Sequence, residues 1–209
     1  LLQRVDTSME TQRRFVADAA HELRSPLTAL SLQAEHLANY LASEKIDAVY
    51  ASPLRRAQQT AAPLAAIQKV GVTLVDDVAE WDRNSNEYVP VEELKAANDP
   101  RWQAMLKGEW NVHEESVDDF NKRTIGAIEN LISQHSGHRI AIVCHGGVIN
   151  AYLTHILGLT NYIQGFFYPN YTSIHRVAAA RSGERSIVTI NETSHLRGTG
   201  LPMGLVQKG

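Results

Sequence analysis

The stretch Ile140-Ala141-Ile142-Val143-Cys144-His145-Gly146-Gly147-Val148-Ile149-Asn150 joins an apolar run to a histidine, two glycines and a helical pattern. This order predicts a buried strand, a tight turn and the N-terminus of a helix. The glycines let the backbone approach a ligand closely, and the N–H groups at a helix N-terminus favour an anion. A histidine fixed there can hydrogen-bond or protonate a phosphate oxygen, which makes His145 a candidate phosphate ligand. The alternative is a histidine that only ends a strand.

The composition is that of an ordinary globular protein. The 209 residues, 44% hydrophobic and 21% charged, are typical of one soluble domain with a short appendage. The net charge of -3 gives no basic surface for nucleic acid and no strong preference for a membrane. No apolar run approaches the ~20 residues that span a bilayer, and the N-terminus lacks a signal-peptide pattern, so we expect a cytoplasmic protein. The single cysteine, Cys144, excludes an intrachain disulfide and a cysteine-rich metal site.

The N-terminal segment has a different pattern. Residues 5–41 carry apolar side chains at alternating steps of four and three. This heptad pattern predicts a long helix packed in a coiled coil or bundle, and such a helix would support a homodimer. Pro26 lacks an N–H and should kink or divide the helix; alternatively, Ser25 and Pro26 start a second helix as its N-cap and first residue.

From residue 45 onward, short apolar strands alternate with helical segments. Such alternation indicates an α/β layered domain with a mostly parallel sheet. Residues 76–115 contain three tryptophans and many acids, and predict a loop-rich insertion that forms a lid or one wall of a site. The remaining predicted elements are strands at 45–51, 72–75 and 140–143, helices at 55–69, 116–134 and 148–157, and a final strand pair at 172–178 and 186–190.

Three candidate functional residues follow predicted strands, where ligands collect in α/β sheets. Arg56 lies at the start of a helix, and its guanidinium can hold a phosphate through two hydrogen bonds. Glu80 comes just after the strand at 72–75 and can donate a proton if its pKa is raised. His145, with the backbone of Gly146 beside it, completes the candidate site.

Two of these segments resemble signatures of a known family. ASPLRRAQQTA at 51–61 and IAIVCHGGVINAYL at 140–153 are similar to motifs of the histidine phosphatase superfamily, and the resemblance extends over about 36–197. It implies a three-layer, phosphoglycerate-mutase-like fold. It also implies phosphomonoester hydrolysis or phosphoryl transfer through phosphohistidine, with no metal or cofactor, on a phosphorylated small molecule or a phosphoprotein.

The same resemblance assigns roles to the candidate residues. Arg56 would bind the transferred phosphoryl group, His145 would stabilise the charge of the transition state, and Glu80 would be the general acid. Asp82 and Glu87 lie in the same loop as Glu80 and are alternatives to it.

The first residues resemble a second family. FVADAAHELRSPLTAL at 15–30 is similar to the H-box of sensor histidine kinases. In that family the helix belongs to a dimerising four-helix bundle, and its histidine accepts a phosphoryl group from ATP. The resemblance makes His21, with Glu22 beside it, a candidate phosphoacceptor. We therefore divide the chain into a kinase-like helix at 1–35 and a histidine-phosphatase-like domain at 36–209.

One signature of the histidine phosphatases has no counterpart in this chain. The family opens with a strand that ends in Arg-His-Gly or Arg-His-Ala and carries the nucleophile, but no Arg-His dipeptide occurs here. We infer a chimera joined near residues 32–36, whether natural, engineered or an assembly artefact. Without that histidine we expect little or no turnover. Without that interior strand we expect low stability, unless the sheet closes up or another chain supplies the strand.

Two other functions stay open at this stage. One is a signalling or dimerisation module in which His21 takes part in a phosphorelay. The other is a protein that binds phosphate esters without turnover. His135 and His138 are spaced like a pair of metal ligands, but they flank a short loop with no third ligand nearby in the sequence. The sequence therefore gives no reason to invoke a metal or a cofactor.

Overall fold

A computed structural model describes residues 28–83, 94–95, 97–107, 115–159 and 166–204. Residues 28–40 form the described part of helix α1. Most of the predicted N-terminal helix lies outside the described residues. That part includes the candidate phosphoacceptor His21 and its neighbour Glu22, so the coiled-coil helix stays a prediction.

A three-stranded parallel sheet lies at the centre of the fold. Strand β1 is Ala48–Ala51, β2 is Val72–Leu74 and β3 is Ile140–Val143. The strand order is β2-β1-β3, so β1 pairs with a parallel neighbour on each side. The predicted α/β fold with a parallel sheet is confirmed.

Helices connect these strands. Helix α2 (Arg55–Gln68) joins β1 to β2, and α3 (Pro100–Lys107) lies within the segment predicted as a loop-rich insertion. Helix α4 (Val117–Gln134) precedes β3, and α5 (Gly146–Ile156) follows it. No helix among the residues that the structure describes is long and apolar enough to cross a membrane.

The helices cover the sheet on both faces and so create two apolar layers. On one face, Leu37 of α1 and Leu64 of α2 pack against Val49 of β1. On the other, Phe120 of α4 and Val148 of α5 pack with Ile142 of β3. This arrangement follows from the side-chain period of two along each strand, which sends alternate residues into opposite layers.

Helix α5 begins two residues earlier than the sequence predicted. The tight turn expected at Gly146 and Gly147 is absent, since both residues are helical and neither has a positive φ. His145 has extended backbone and is the N-cap of the helix. Position 147 needs glycine for another reason: a Cβ there would overlap the carboxylate of Glu80, whereas a Cβ at Gly146 would meet nothing within 4 Å.

The predicted pair of C-terminal strands forms an antiparallel hairpin. Strands β4 (Ile174–Ala179) and β5 (Arg185–Glu192) pair with each other as a separate two-stranded sheet. Arg176 on β4 joins this hairpin to the end of α1, with two hydrogen bonds to Glu44 at 2.7 and 2.8 Å. It also binds Glu192 on β5, with Nε 2.9 Å from the carboxylate.

A trough separates β3 from β4. It is part of a cavity of about 2520 Å³ that both strands line and that extends to Arg56 and His145. Strand β3 was predicted to be buried but is half-buried along its whole length, because its residues line this trough. Within the described part of the chain, β3 forms a ladder with β1 alone.

Candidate active site

The three predicted site residues meet at one edge of the parallel sheet. Arg56 follows β1, His145 follows β3, and Glu80 follows β2 after one 3-10 turn at Asp76–Val78. Parallel strands bring their carboxyl ends to the same edge, which explains why residues so distant in sequence come together. The Nε of Arg56 lies 3.3 Å from Nδ1 of His145.

His145 sits between an arginine and a serine. Its ring is only 8% exposed, and its Nε2 lies 2.7 Å from Oγ of Ser52. Burial, with the Arg56 guanidinium adding to it, lowers the pKa of His145 to about 3. A neutral ring that accepts a hydrogen bond from Arg56 at Nδ1 must carry its proton at Nε2. His145 therefore donates to Ser52 and is a hydrogen-bond donor, not an acid, in the unliganded site.

Glu80 is held by the backbone of helix α5. Its Oε2 accepts a hydrogen bond from the N–H of Gly147 at 2.8 Å, and its Oε1 accepts from the N–H of Trp81 at 3.1 Å. Burial raises the pKa of Glu80, and these two hydrogen bonds act in the opposite direction. A carboxyl group with a raised pKa is a suitable proton donor for a leaving group.

A further charged residue, Asp82, also lies in the site. Its Oδ1 is 2.7 Å from Nη2 of Arg56, with about a quarter of its side chain exposed. The sequence left Asp82 as an alternative to Glu80, and in the structure the two residues have different contacts. Glu80 contacts the helix N-terminus while Asp82 pairs with the arginine.

Ser52 was missed as a functional candidate. It is fully buried, and its Oγ bonds both the His145 ring and the N–H of Leu54 at 3.2 Å. Its position could have indicated this role, because Ser52 directly follows β1 in the same 51–61 segment that contains Arg56.

The other sequence candidates lie apart from this cluster or outside the described residues. His21, Glu22 and Glu87 are outside them. Burial raises the pKa of the half-buried Cys144 thiol to about 12, which disfavours the reactive thiolate. His135 bonds the hydroxyl of Tyr50, with its Nε2 at 2.6 Å from Oη. Among the residues described, no group of three potential metal ligands occurs.

This arrangement can bind an anion and deliver a proton. Arg56 supplies positive charge, His145 supplies an N–H donor, and the 11-residue helix α5 directs its positive end toward the same point. Glu80 is a buried acid at the edge of that anion site. A phosphate ester uses all of these groups, because its phosphoryl oxygens need donors and its leaving oxygen needs a proton.

Comparison with known proteins finds a matching family and similar sequences. A family model described as the histidine phosphatase superfamily (branch 1) matches residues 12–193. A putative phosphoserine phosphatase 2 of Hydrogenobacter thermophilus is 30% identical over 187 residues, covering 84% of this chain and 87% of the relative. Phosphoglycerate mutase-like protein 4 of Arabidopsis thaliana is 30% identical over 152 residues. That alignment covers 70% of this chain and 65% of the relative, just under two thirds of its length.

Solved structures share the fold. The crystal structure of a phosphoserine phosphatase mutant from Entamoeba histolytica, in complex with phosphoserine, is 25% identical and gives a TM-score of 0.64. The alignment covers 79% of this chain and 83% of that chain.

Proposed function

We infer, since this chain belongs to the histidine phosphatase superfamily, that its pocket binds the phosphoryl group of a phosphate ester. Arg56, His145 and the backbone of Gly146 would hold that group, and Glu80 would protonate the leaving oxygen. The observation that carries this proposal is the contact between Arg56 and His145, with Glu80 held beside them on the same helix N-terminus.

Binding rearranges two existing contacts. The phosphoryl oxygens replace the Asp82 carboxylate on Arg56 and replace Ser52 as the acceptor from Nε2 of His145. Both exchanges keep Arg56 and His145 paired, whereas Asp82 and Ser52 each give up a partner to the phosphoryl group. For the bond between phosphorus and the leaving oxygen to break, a nucleophile must form a new bond to phosphorus; the electron pair of the broken bond then goes to the leaving oxygen, which takes the proton from Glu80.

We propose that the chain alone turns over slowly. The resemblance assigns the attack on phosphorus to a histidine at the end of an opening strand, and the sequence has no Arg-His dipeptide to supply it. Phosphate-ester binding without efficient turnover is then the expected behaviour. The chimera of a kinase-like helix at 1–35 with a domain at 36–209 is part of the same proposal.

The substrate class we propose is a small phosphorylated metabolite. A relative named as a phosphoserine phosphatase covers most of this chain, and a similar structure binds phosphoserine. Phosphoserine is therefore the first ester to test, with a phosphopeptide as the comparison that represents a phosphoprotein.

The test combines binding and hydrolysis. Titration calorimetry with phosphoserine should show binding that weakens by one to two orders of magnitude in Arg56→Ala, because a charged hydrogen-bonded partner is lost. Arg55→Ala is the matched control, since Arg55 is exposed and adjacent in sequence. Hydrolysis of p-nitrophenyl phosphate should be near background in the wild type. Fast hydrolysis that disappears in Arg56→Ala and His145→Ala would refute the proposed impairment, and unchanged binding in Arg56→Ala would refute the pocket.

The second candidate function, a phosphorelay or dimerisation module, is favoured by the H-box-like sequence around His21. Incubation with a histidine kinase and labelled ATP should then give acid-labile label that is lost in His21→Gln. The dimer should dissociate in Leu23→Asp. A chain that stays unlabelled and monomeric would exclude this function.

A further inference from the structure

Arg123 of helix α4 holds the backbone that leads into Glu80. Its Nη1 donates to the carbonyls of Asp77 and Ala79, at 2.8 and 2.9 Å. Its Nε and Nη2 donate to the two carboxylate oxygens of Glu115, at 2.7 and 2.8 Å. The Arg123 side chain is 11% exposed, so these contacts are largely shielded from water. One guanidinium therefore joins the residue that precedes Glu80 to the start of helix α4.

The 3-10 turn ahead of Glu80 explains why this backbone needs Arg123. The turn closes with the N–H of Ala79, which donates to the carbonyl of Asp76 at 3.0 Å. The carbonyls of Asp77 and Ala79 lie beyond that bond. Because Ala79 is buried, its carbonyl needs a donor from the protein. Arg123 supplies this donor and binds the Asp77 carbonyl with the same nitrogen.

An aromatic stack holds the residue on the other side of Glu80. The ring of Trp81 lies against the ring of Phe120 on α4, with their centroids 3.8 Å apart and their planes 7° from parallel. The guanidinium carbon of Arg123 is 4.6 Å from the centroid of the same Phe120 ring. Phe120 and Arg123 are three residues apart and so lie on one face of the helix. Helix α4 therefore fixes both neighbours of Glu80, one by hydrogen bonds and the other by ring packing.

We propose that Arg123 is a positioning residue for the Glu80 acid and acts on it through the backbone at Ala79. With both neighbours of Glu80 fixed on α4, its side chain reaches the N-terminus of α5, where Oε2 lies 2.8 Å from the N–H of Gly147. Loss of the Arg123 contacts would release this backbone and let the carboxylate leave that N–H. The role of Glu80 as a general acid rests on the proposed function, whereas its placement by Arg123 does not.

The pKa of Glu80 reports this placement. Burial raises it, and the hydrogen bonds from Gly147 and Trp81 act against burial. The charge of Asp82 raises it further and the charge of Arg56 lowers it. A carboxylate released into water would lose the burial, so its pKa should fall toward the usual value of about 4.3. Loss of a nearby positive charge alone would raise the pKa, so the sign of the shift separates positioning from simple charge.

NMR of the Glu80 carboxyl carbon, followed against pH, measures that sign. Arg123→Lys keeps the positive charge beside Glu115, but its single nitrogen cannot also reach both carbonyls. The pKa of Glu80 should then fall by about half a pH unit or more. Exchange of the Gly147 amide should become about tenfold faster, because the first turn of a helix supplies no acceptor of its own for this N–H. Arg123→Met should accelerate that exchange at least as much.

Two variants of the same helix separate positioning from general loss of stability. Lys122→Met removes an exposed cation next to Arg123, and Ile128→Val shortens a buried side chain. Neither should shift the pKa of Glu80, although Ile128→Val lowers the free energy of unfolding. A Glu80 pKa that rises or stays unchanged in Arg123→Lys overturns the proposal. An equal fall in Ile128→Val overturns it too.

Phosphoserine binding to the wild type, measured separately, keeps this proposal apart from the proposed function. A pKa of Glu80 that depends on Arg123, in a protein that does not bind phosphoserine, supports the positioning and refutes the phosphate pocket. Phosphoserine binding without that dependence refutes the positioning alone.

Discussion

At the scale of single residues, the contact between Gly147 and Glu80 controls where the acid of the site lies. We expect Gly147→Ala to displace the Glu80 carboxylate, because its new methyl group would overlap Oε1. Such overpacking costs about 1–3 kcal/mol. Urea unfolding would measure the loss.

Gly146→Ala provides the control for this effect. A Cβ at position 146 would meet nothing within 4 Å, and alanine is favoured over glycine in a helix by up to about 1 kcal/mol. Its free energy of unfolding should stay equal or rise. If both variants lose the same stability, the Glu80 contact is not the cause.

The neutral state of His145 predicts a pH dependence of stability. Its pKa in the folded protein is about 3, well below the usual value near 6.5. Below about pH 6.5 the unfolded chain binds a proton that the folded chain does not. The contribution of His145 to stability is therefore complete above pH 6.5 and is lost as the pH falls toward 3.

Urea unfolding at a series of pH values checks this prediction. The slope of stability against pH between 6 and 4 should decrease by up to about 1.4 kcal/mol per pH unit in His145→Asn. His36→Asn is the control, since His36 is exposed. The prediction fails if His145→Asn keeps the slope of the wild type.

The sequence predicted individual site residues only where they follow the end of a predicted strand. Arg56, Glu80 and His145 each follow a predicted strand, and all three meet in the structure. Ser52 was not predicted as a site residue, because its role depends on a hydrogen bond to a residue 93 positions away. Arg56 pairs with Asp82 and not with Glu80. Tertiary packing determines this choice, and the sequence of the loop does not predict it.

At the scale of secondary-structure elements, Ser116 fixes the start of helix α4. It is the N-cap, and its Oγ accepts from the N–H of Asp119 at 3.1 Å. Ser116→Ala should lower the free energy of unfolding by about 1 kcal/mol. Ser116→Asn, which retains an acceptor, should lose only a few tenths in thermal or urea unfolding. Equal losses in the two variants would argue against capping.

Helix and strand positions were largely predictable because their apolar periods are local. Strand β3 matches its predicted bounds, and the hairpin of β4 and β5 forms as expected. The start of α5 was misplaced because two adjacent glycines indicate a turn by local preference. Here the space that Glu80 requires, a tertiary constraint, explains the glycine at 147 inside a helix.

At the scale of the whole molecule, ion pairs attach the hairpin to the rest of the fold. Arg176 joins Glu44 and Glu192, and Arg185 of β5 joins Glu129 of α4. Arg176→Met should lower stability by about 1–3 kcal/mol, since two carboxylates lose a charged partner. Amide exchange in β4 and β5 should increase more than exchange in β1.

High salt offers an independent check of the same attachment. Screening should weaken these partly exposed pairs, so 1 M NaCl should reproduce part of the increase in wild-type β4 exchange. Salt should have little further effect on β4 in Arg176→Met. An equal increase in amide exchange in β1 and β4 would show that the two sheets unfold together. The ion pairs would then not be what attaches the hairpin to the rest of the fold.

The ion pair between Asp82 and Arg56 places a competing anion in the proposed phosphate site. The protein already contains the anion that its ligand must displace, so each binding event is an exchange of one negative group for another. If the proposed phosphate binding holds, a dianionic phosphoryl group should displace the carboxylate more readily than a monoanion does, and the site is expected to discriminate by charge. Competition of this kind also lowers affinity for neutral and weakly charged metabolites, which cannot release the aspartate.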